Sequence, residues 1–282
     1  MTPTIAVVAP GAMGSAVARR LVEQGARVLT GLAGRSAATC ARAEAAGMIG
    51  VGDDQIAAAD VILSILPPAE AVGFAQRLAP ALALGGHRAI FVDCNAIDVR
   101  TVERIAAIIG AGPARFVDGA IIGAPPKPGK PGPTFYFSGA PAADLDWLQQ
   151  FGLKSRRIDG PVGAASALKM SYAGITKGIT ALAAAMVLAA SRAGAAQALR
   201  EELAASQPQL LKRFATALPD MYPKAYRWAA EMREIAAFVQ DDPAAARIYE
   251  AVGDLYERIG ADAREGRGEI DLIEAFLNLP DC

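Results

Sequence analysis

The chain has 282 residues, of which 53% are hydrophobic and 20% are charged, and its formal net charge is −1. This length exceeds the usual size of a single domain and predicts two domains, each with its own core. The near-neutral charge excludes a broad electrostatic attraction to nucleic acid or to an anionic membrane surface.

The three cysteines, Cys40, Cys94 and Cys282, have no C-x-x-C spacing. We therefore expect a reduced, cytoplasmic setting and no metal site. The first apolar run has no basic leader, which argues against a secretory signal. The most apolar later run, residues 178–191, is shorter than the ~20 residues that span a bilayer, so no membrane partner is expected.

Short β-branched runs alternate with helical patterns up to about residue 158. Buried parallel strands are predicted at residues 4–8, 27–30, 61–66, 89–92 and 115–117. Helices are predicted between them at residues 14–23, 36–46, 69–79 and 100–109. This alternation is typical of a doubly wound parallel sheet with helices on both faces, which is a Rossmann-type α/β domain.

The pattern changes after residue 129. Strands at residues 134–138 and 155–157 flank a predicted helix at residues 142–151, and the strand signals then stop. One long Ala-rich helix is predicted over residues 163–192, followed by shorter helices separated by prolines. The predicted organisation is a Rossmann domain over residues 1–159 and an all-helical domain over residues 160–282.

The first strand runs directly into the segment A-P-G-A-M-G, residues 9–14, which opens a helix. This is the G-x-G-x-x-G pattern of dinucleotide sites, with alanine in the first place. Gly11 allows the backbone to approach a pyrophosphate, and Gly14 allows the helix to pack closely on the strand. The N–H groups of Ala12 and Met13, at the helix start, are expected to hold the phosphates. An ordinary glycine-rich turn is the alternative.

The end of the second strand distinguishes NADPH from NADH. NAD sites place an acid there to bind the ribose 2′-hydroxyl, but the first acid after this strand is Glu44. Arg35 can form a bidentate pair with a 2′-phosphate, and Ser36 can add a hydroxyl donor. NADPH/NADP+ is the predicted cofactor, and a solvated loop charge at Arg35 is the alternative.

On these motifs the chain resembles the β-hydroxyacid dehydrogenases of the 6-phosphogluconate dehydrogenase superfamily. The family's strand ending in x-L-P corresponds to Leu66 and Pro67, and its D-x-S-T motif is matched loosely by residues 93–96. The resemblance implies that Leu66, Pro67 and Asn95 lie beside the cofactor. The family's substrate motif D-x-P-V-S-G is matched partly by residues 118–123.

The family also carries G-x-x-G-x-G-x-x-x-K-x-x-N-N at the start of its interdomain helix, and residues 160–173 keep the spacing from Gly160 to Lys169. The resemblance implies that Lys169 is the catalytic general acid and base. A lone lysine in an Ala-rich helix is otherwise unfavourable, although it could reach solvent or pair with a carboxylate. Tyr172, one turn later, is either a second proton donor or a packing residue.

Several departures from the family pattern bear on the substrate. The substrate-binding serine is Ile122, next to Gly123, and the two asparagines are Tyr172 and Ala173. Trp228 lies with Tyr222 and Tyr226 in an aromatic cluster, which either lines an apolar substrate pocket between the domains or packs in a core or a dimer interface. His87, the sole histidine, is expected at the surface.

Three functions remain open from the sequence. The first is NADPH-dependent interconversion of a small-molecule carbonyl and alcohol, and the second is imine reduction of a bulkier apolar substrate. The third is a non-catalytic NADPH-binding regulator. The resemblance also implies a homodimer in which the long Ala-rich helices pack across the interface.

Overall fold

The computed structural model of the chain describes residues 2–85, 88–127, 129–130 and 132–280. His87 and Cys282 lie outside the described residues, so the expectations for them are not addressed. The described chain divides into two compact units, Met1–Lys169 and Met170–Cys282. This division lies ten residues after the boundary expected from the sequence, because the first turns of the long helix bond to the sheet.

The first unit is built on eight strands in one sheet. The strands are β1 (Thr4–Val8), β2 (Arg27–Gly31), β3 (Ile49–Val51), β4 (Val61–Ser64), β5 (Ile90–Asp93), β6 (Arg115–Ile122), β7 (Thr134–Ser138) and β8 (Lys154–Arg157). Their order is β3-β2-β1-β4-β5-β6-β7-β8, and β1 to β6 are mutually parallel. Strand β7 pairs antiparallel with β6 and parallel with β8. The predicted doubly wound α/β sheet is confirmed.

Helices cover both faces of the sheet in the first unit. They are α1 (Ala12–Glu23), α2 (Ala37–Ala45), α3 (Asp53–Ala57), α4 (Ala71–Leu84) and α5 (Val99–Gly110). One core packs α1 and the segment Ala140–Phe151 on the sheet, through side chains such as Leu21 and Leu145. The other packs α4 and α5 on the opposite face, through side chains such as Leu78 and Ile105. Apolar strand residues therefore contribute to both faces, as the continuous β-branched runs predict.

The second unit is all-helical, as predicted. Helix α6 (Ala164–Arg192) crosses from the first unit into it, and α7 (Ala196–Ser206), α8 (Pro208–Met221), α9 (Ala225–Phe238), α10 (Pro243–Glu265) and α11 (Gly268–Leu277) follow. Buried Leu218, Met232, Tyr256 and Phe276 are part of its core.

Several predicted elements were wrong in type or extent. Residues 142–151 form part of a 3-10 segment, Ala140–Phe151, and not an α-helix. Strand β3 was missed because it is only three residues long. Strand β6 extends to Ile122 rather than Val117, because the fold supplies hydrogen-bond partners for Asp118 that no sequence pattern reveals.

Two prolines lie inside helices, contrary to the punctuation expected from the sequence. Helix α4 continues through Pro80, whereas the prediction ended it at residue 79. Helix α8 contains Pro219 close to its last residue, Met221. Each proline removes one backbone hydrogen bond, and the surrounding packing outweighs that loss.

Helix α6 is also long and apolar enough, by length and composition, to cross a membrane, with a mean hydropathy of 1.6 over its most apolar window. The most apolar run noted in the sequence, residues 178–191, is only the second half of this helix. Core helices of soluble proteins pass the same test, so this observation is weak evidence for a membrane.

Candidate active site at the carboxyl edge of the sheet

The glycine-rich turn joins β1 to α1 at the carboxyl edge of the sheet. A Cβ atom at Gly14 would lie 2.0 Å from the carbonyl oxygen of Ala9, so packing alone requires glycine there. A Cβ at Gly11 would meet no protein atom within 4 Å. Protein packing therefore leaves open space at Gly11, at the helix N-terminus where the first N–H groups, including those of Ala12 and Met13, lack intrahelical partners. A pyrophosphate fits this space and its positive potential.

A cavity of about 600 Å³ opens beside this turn, at the ends of β1, β2 and β3. It is lined by Val8, Gly31, Ala33, Gly34, Arg35, Val51, Gly52, Asp53, Asp54, Glu70 and Arg77. Gly34 has a φ of +71°, which lets the chain turn sharply before Arg35. Ser36 follows as the N-cap of α2, and its hydroxyl accepts a hydrogen bond from the Thr39 N–H at 3.3 Å.

The cavity contains acids that the sequence around β2 did not reveal. The Arg35 guanidinium lies 3.2 Å from a carboxylate oxygen of Glu70, which comes from the loop after β4. The Arg77 guanidinium lies 2.9 Å from a carboxylate oxygen of Asp53 at the start of α3. A search along β2 alone could not find these carboxylates, because they come from other segments of the sheet edge.

Asn95 joins the ends of β4 and β5. Its carbonyl oxygen accepts a hydrogen bond from the Leu66 N–H at 2.6 Å, and its amide donates to Ser64 and Asp93. Leu66 is buried and Pro67, next in the chain, is exposed. The predicted cofactor-binding residues Leu66, Pro67 and Asn95 therefore lie together at the carboxyl edge, and Asn95 holds the backbone that presents the other two.

Asp118 anchors the start of α6 to β6. Its fully buried carboxylate accepts hydrogen bonds from the backbone N–H groups of Ala165 and Ser166 and from the hydroxyls of Ser138 and Ser166. A carboxylate at a helix N-terminus satisfies donors that lack intrahelical partners. This contact fixes the helix that carries Lys169 to the carboxyl edge of the sheet.

Lys169 follows one turn later and is partly buried. Its ammonium acts electrostatically on the buried acids Asp93 and Cys94. Burial raises the pKa of Asp93 to about 7, against the lowering effect of the Asn95 hydrogen bonds and of the Lys169 charge. Burial also raises the pKa of the Cys94 thiol, which therefore stays protonated at neutral pH.

The two residues predicted at the substrate lie where β6 leaves the parallel part of the sheet. Ile122 is the last residue of β6 and is partly buried. Gly123 has a φ of +127°, and a Cβ there would lie 3.0 Å from the Cα of Pro133. Both the backbone angle and the close approach require glycine at this position.

Two predicted site residues belong to the second unit. Tyr172 lies one turn after Lys169 on α6, and its side chain is 53% exposed. Trp228 packs edge-on against Tyr256, with 5.4 Å between ring centroids, and the Lys177 ammonium lies 5.2 Å from the Trp228 ring centre. Lys177 also forms an ion pair with Glu231. Trp228 therefore packs against Tyr256 and Lys177 within this unit, whereas Tyr226 of the same cluster is 59% exposed.

Sequence reasoning missed Glu70, Asp53 and Asp93. Glu70 belongs to no recognisable motif, and Asp93 was noted only as the aspartate of the loosely matched D-x-S-T segment. Among the residues that the structure describes, no group of three or more potential metal ligands is close enough to hold an ion.

Residues 4–151, more than half of the chain, match the model of the NAD binding domain of 6-phosphogluconate dehydrogenase. The chain belongs to this family. Residues 190–259 match a second model, a domain of unknown function, DUF1932. No curated protein is significantly similar to the chain. Membership of this 6-phosphogluconate dehydrogenase-like family makes the chain a nicotinamide-dependent oxidoreductase.

Solved structures extend the similarity over both units. The conserved protein MTH1747, of unknown function and structurally similar to 3-hydroxyacid dehydrogenases, is 27% identical with a TM-score of 0.72, covering 91% of this chain and 99% of its own. Mycobacterium tuberculosis 3-hydroxyisobutyrate dehydrogenase with L-serine is 18% identical with a TM-score of 0.76, covering 98% and 99%. The Myxococcus stipitatus imine reductase with NADP+ is 16% identical with a TM-score of 0.55, covering 99% and 100%.

Proposed function

We propose that the chain is an NADPH-dependent oxidoreductase that interconverts a small carbonyl compound and its alcohol, with Lys169 as general acid and base. The observation that carries this proposal is the anchoring of α6. Asp118 binds the helix start, so the Lys169 side chain emerges one turn later from a fixed helix at the carboxyl edge of the sheet. Ligands of open α/β sheets bind at this edge.

The chain's own groups divide the work of binding. The α1 N-terminus at Gly11, Ala12, Met13 and Gly14 would hold the pyrophosphate, and Leu66 and Pro67 would flank the cofactor beyond β4. When bound, the nicotinamide supplies hydride to the carbonyl carbon or accepts it from the alcohol. Ile122 and Gly123 would border the substrate.

Lys169 supplies the proton in this scheme. A protonated amine donates to the carbonyl oxygen as that oxygen gains negative charge, and a neutral amine takes the proton back from the hydroxyl in the reverse direction. Tyr172, one turn along the same helix, would orient the substrate or serve as a second donor. Asp93 and Asp118 are positioning residues, since they act on Lys169 through charge and through the helix anchor.

NADPH is the preferred cofactor in this proposal. Arg35 lines the cavity beside the glycine turn, and guanidinium groups bind phosphate in a bidentate manner. Ser36 caps α2 at the same point, where the helix N-terminus adds positive potential.

The proposal is tested by following NADPH oxidation with aldehydes, keto acids and cyclic imines. We expect Lys169→Ala to lower kcat by about 10²- to 10⁴-fold, the usual contribution of a positioned acid or base. Lys177→Ala is the matched control, because it removes a second lysine from the same helix, one that forms an ion pair with Glu231 in the second unit. Equal losses in the two variants would contradict a catalytic role for Lys169.

The same panel separates the alternatives. Turnover of cyclic imines alone would identify an imine reductase, which the replacement of the family's polar substrate contacts by Ile122 and Ala173 favours over a compact carboxylate substrate. NADPH binding without turnover of any compound would identify a regulator and would overturn the enzymatic proposal.

We also infer that the chain forms a homodimer in the cytoplasm through helix α6. Its exposed side chains include Ile175, Leu182 and Met186, each 60% exposed, which is unusual for large apolar groups on one helix. Light scattering in detergent-free buffer should give twice the chain mass, and Leu182→Lys should shift the protein toward monomer. A requirement for detergent or lipid would instead indicate a membrane contact.

A further inference from the structure

We propose that Glu70 is a determinant of cofactor specificity, acting as an internal competitor that occupies Arg35 until the 2′-phosphate of the cofactor displaces it. This inference rests on the proposed preference for NADPH. It adds a residue that lies outside every motif and outside the β2 segment where such determinants are sought. The sequence predicts a 2′-phosphate site free of acids, and the structure brings an acid to that site from 35 residues away.

The contact geometry supports competition. A terminal nitrogen of Arg35 donates to a carboxylate oxygen of Glu70 at 3.2 Å, and this is the kind of nitrogen that a phosphate oxygen would bind. Glu70 and Arg35 both line the cavity beside the glycine turn, so a ligand in that cavity contacts the pair directly. A phosphate bound by Arg35 would also be repelled by a carboxylate that stayed in place.

Because the ion pair is partly exposed, the free-energy cost of replacing Glu70 by a phosphate is low. The Arg35 side chain is 30% exposed and that of Glu70 is 46% exposed, so water screens their attraction and can solvate the released carboxylate. A buried ion pair could not be opened in this way without leaving an uncompensated charge. Glu70 also lies in the short 3-10 segment Pro68–Glu70 directly after Pro67, at the loop that flanks the cofactor.

The other ion pair in the cavity provides the contrast. Arg77 is held by two contacts to Asp53, at 2.9 and 3.5 Å, and lies 5.3 Å from the Phe74 ring centre. Its guanidinium is therefore engaged on two sides. Arg35, in contrast, lies between the end of β2 and the N-cap of α2, where a 2′-phosphate is expected.

The test uses two fragments, adenosine 2′,5′-bisphosphate and 5′-AMP, which differ only in the 2′-phosphate. Calorimetry gives the ratio of their affinities, independently of any catalytic activity. In Glu70→Gln we expect this ratio to rise by about fivefold, because Arg35 becomes available and a negative charge is removed. An unchanged or lower ratio would overturn the inference.

Two further variants separate the ion pair from a general charge effect. Asp54→Asn removes an equal charge from the same cavity lining and should change the ratio by less than twofold. In an Arg35→Ala background, Glu70→Gln should increase the ratio by less than it does when Arg35 is present. Equal increases in Asp54→Asn and Glu70→Gln, or in the two backgrounds, would show that Glu70 acts only through general repulsion.

The same measurements keep the two proposals distinct. If the wild-type protein shows no preference for the 2′-phosphate but Glu70→Gln does, NADPH preference fails and the role of Glu70 stands. If the wild type prefers the 2′-phosphate and Glu70→Gln leaves that preference unchanged, NADPH preference stands and the role of Glu70 fails.

Discussion

Two carboxylates at the same sheet edge, Asp118 and Glu70, are used in opposite ways. Asp118 is fully buried and accepts four hydrogen bonds from Ser138, Ala165 and Ser166. Glu70 is nearly half exposed and pairs with Arg35 across 3.2 Å. A buried carboxylate that accepts several hydrogen bonds therefore fixes the backbone, whereas an exposed carboxylate paired with one cation can be displaced by a ligand.

The largest expected effect concerns the buried carboxylate of Asp118. Asp118→Asn replaces an acceptor oxygen by a donor amide facing N–H and O–H donors, and we expect the free energy of unfolding to fall by about 3–5 kcal/mol. Chemical denaturation measures this change. The control is Asp242→Asn, which alters the exposed N-cap of α10 and should change stability by less than about 0.5 kcal/mol, because Asn caps helices as well as Asp.

The next effect concerns Asp93 and pH. Its pKa in the folded chain is about 7, compared with 3.8 when exposed, so between these values the folded state holds a proton that the unfolded state has lost. Stability should therefore decrease as pH rises from 5 to 8, by about 1–3 kcal/mol, since one pKa unit corresponds to about 1.4 kcal/mol.

Asp93→Asn should flatten this dependence, measured as thermal unfolding across the same pH range. Asp60→Asn is the control, because Asp60 lies outside the group of buried acids formed by Asp93, Cys94 and Asp118. One carboxylate oxygen of Asp60 accepts a hydrogen bond from the Thr4 N–H at 2.9 Å. A slope that persists in Asp93→Asn would show that the buried acid is not the titrating group.

A smaller effect is expected at Arg35, the cation that pairs with the exposed Glu70. Arg35→Ala should weaken NADPH binding by about tenfold, or about 1.4 kcal/mol, with little change for NADH. Fluorescence titration with each cofactor measures both affinities. Arg77→Ala, which removes another guanidinium from the same cavity, should alter the two affinities equally. Equal losses of both cofactors in Arg35→Ala would place the 2′-phosphate elsewhere.

The smallest expected effect concerns the contribution of Glu70 to stability. Glu70→Gln should change the free energy of unfolding by less than about 1 kcal/mol, because an exposed ion pair contributes little to stability. A loss as large as that of Asp118→Asn would mean that Glu70 is a structural residue and that the two carboxylates are not used differently.

Several parts of the site and the fold could be predicted from residues that are contiguous in the chain. The turn at residues 9–14 follows β1 directly, and the need for Gly14 is a local one, set by the Ala9 carbonyl oxygen. The alternation of strands and helices predicted the sheet because its central strands, such as β1, β4 and β5, are buried on both faces. The long helix was predicted within one residue of its observed start, since its Ala-rich composition is uninterrupted.

The extent of β6 and the 3-10 segment could not be predicted from contiguous residues. The polar Asp118 and the adjacent Gly119 break the apolar run of β6, and only the serines and N–H groups at the α6 start explain why the strand continues. A Cβ at Gly119 would lie 2.9 Å from the Asp93 carbonyl oxygen, which is a contact between neighbouring strands. The 3-10 segment over residues 140–151 was also missed, because helical periodicity does not distinguish it from an α-helix over so few turns.

The family, the sheet and the glycine turn could be predicted from the sequence, because each depends on residues that are close together in the chain. The pairing of distant charges is set by the fold. Glu70 reaches Arg35, and Asp118 reaches the start of α6, only because parallel strands bring the ends of distant segments to one edge. Charge interactions depend on distance in space and on burial, and neither quantity is encoded in the spacing of residues along a chain.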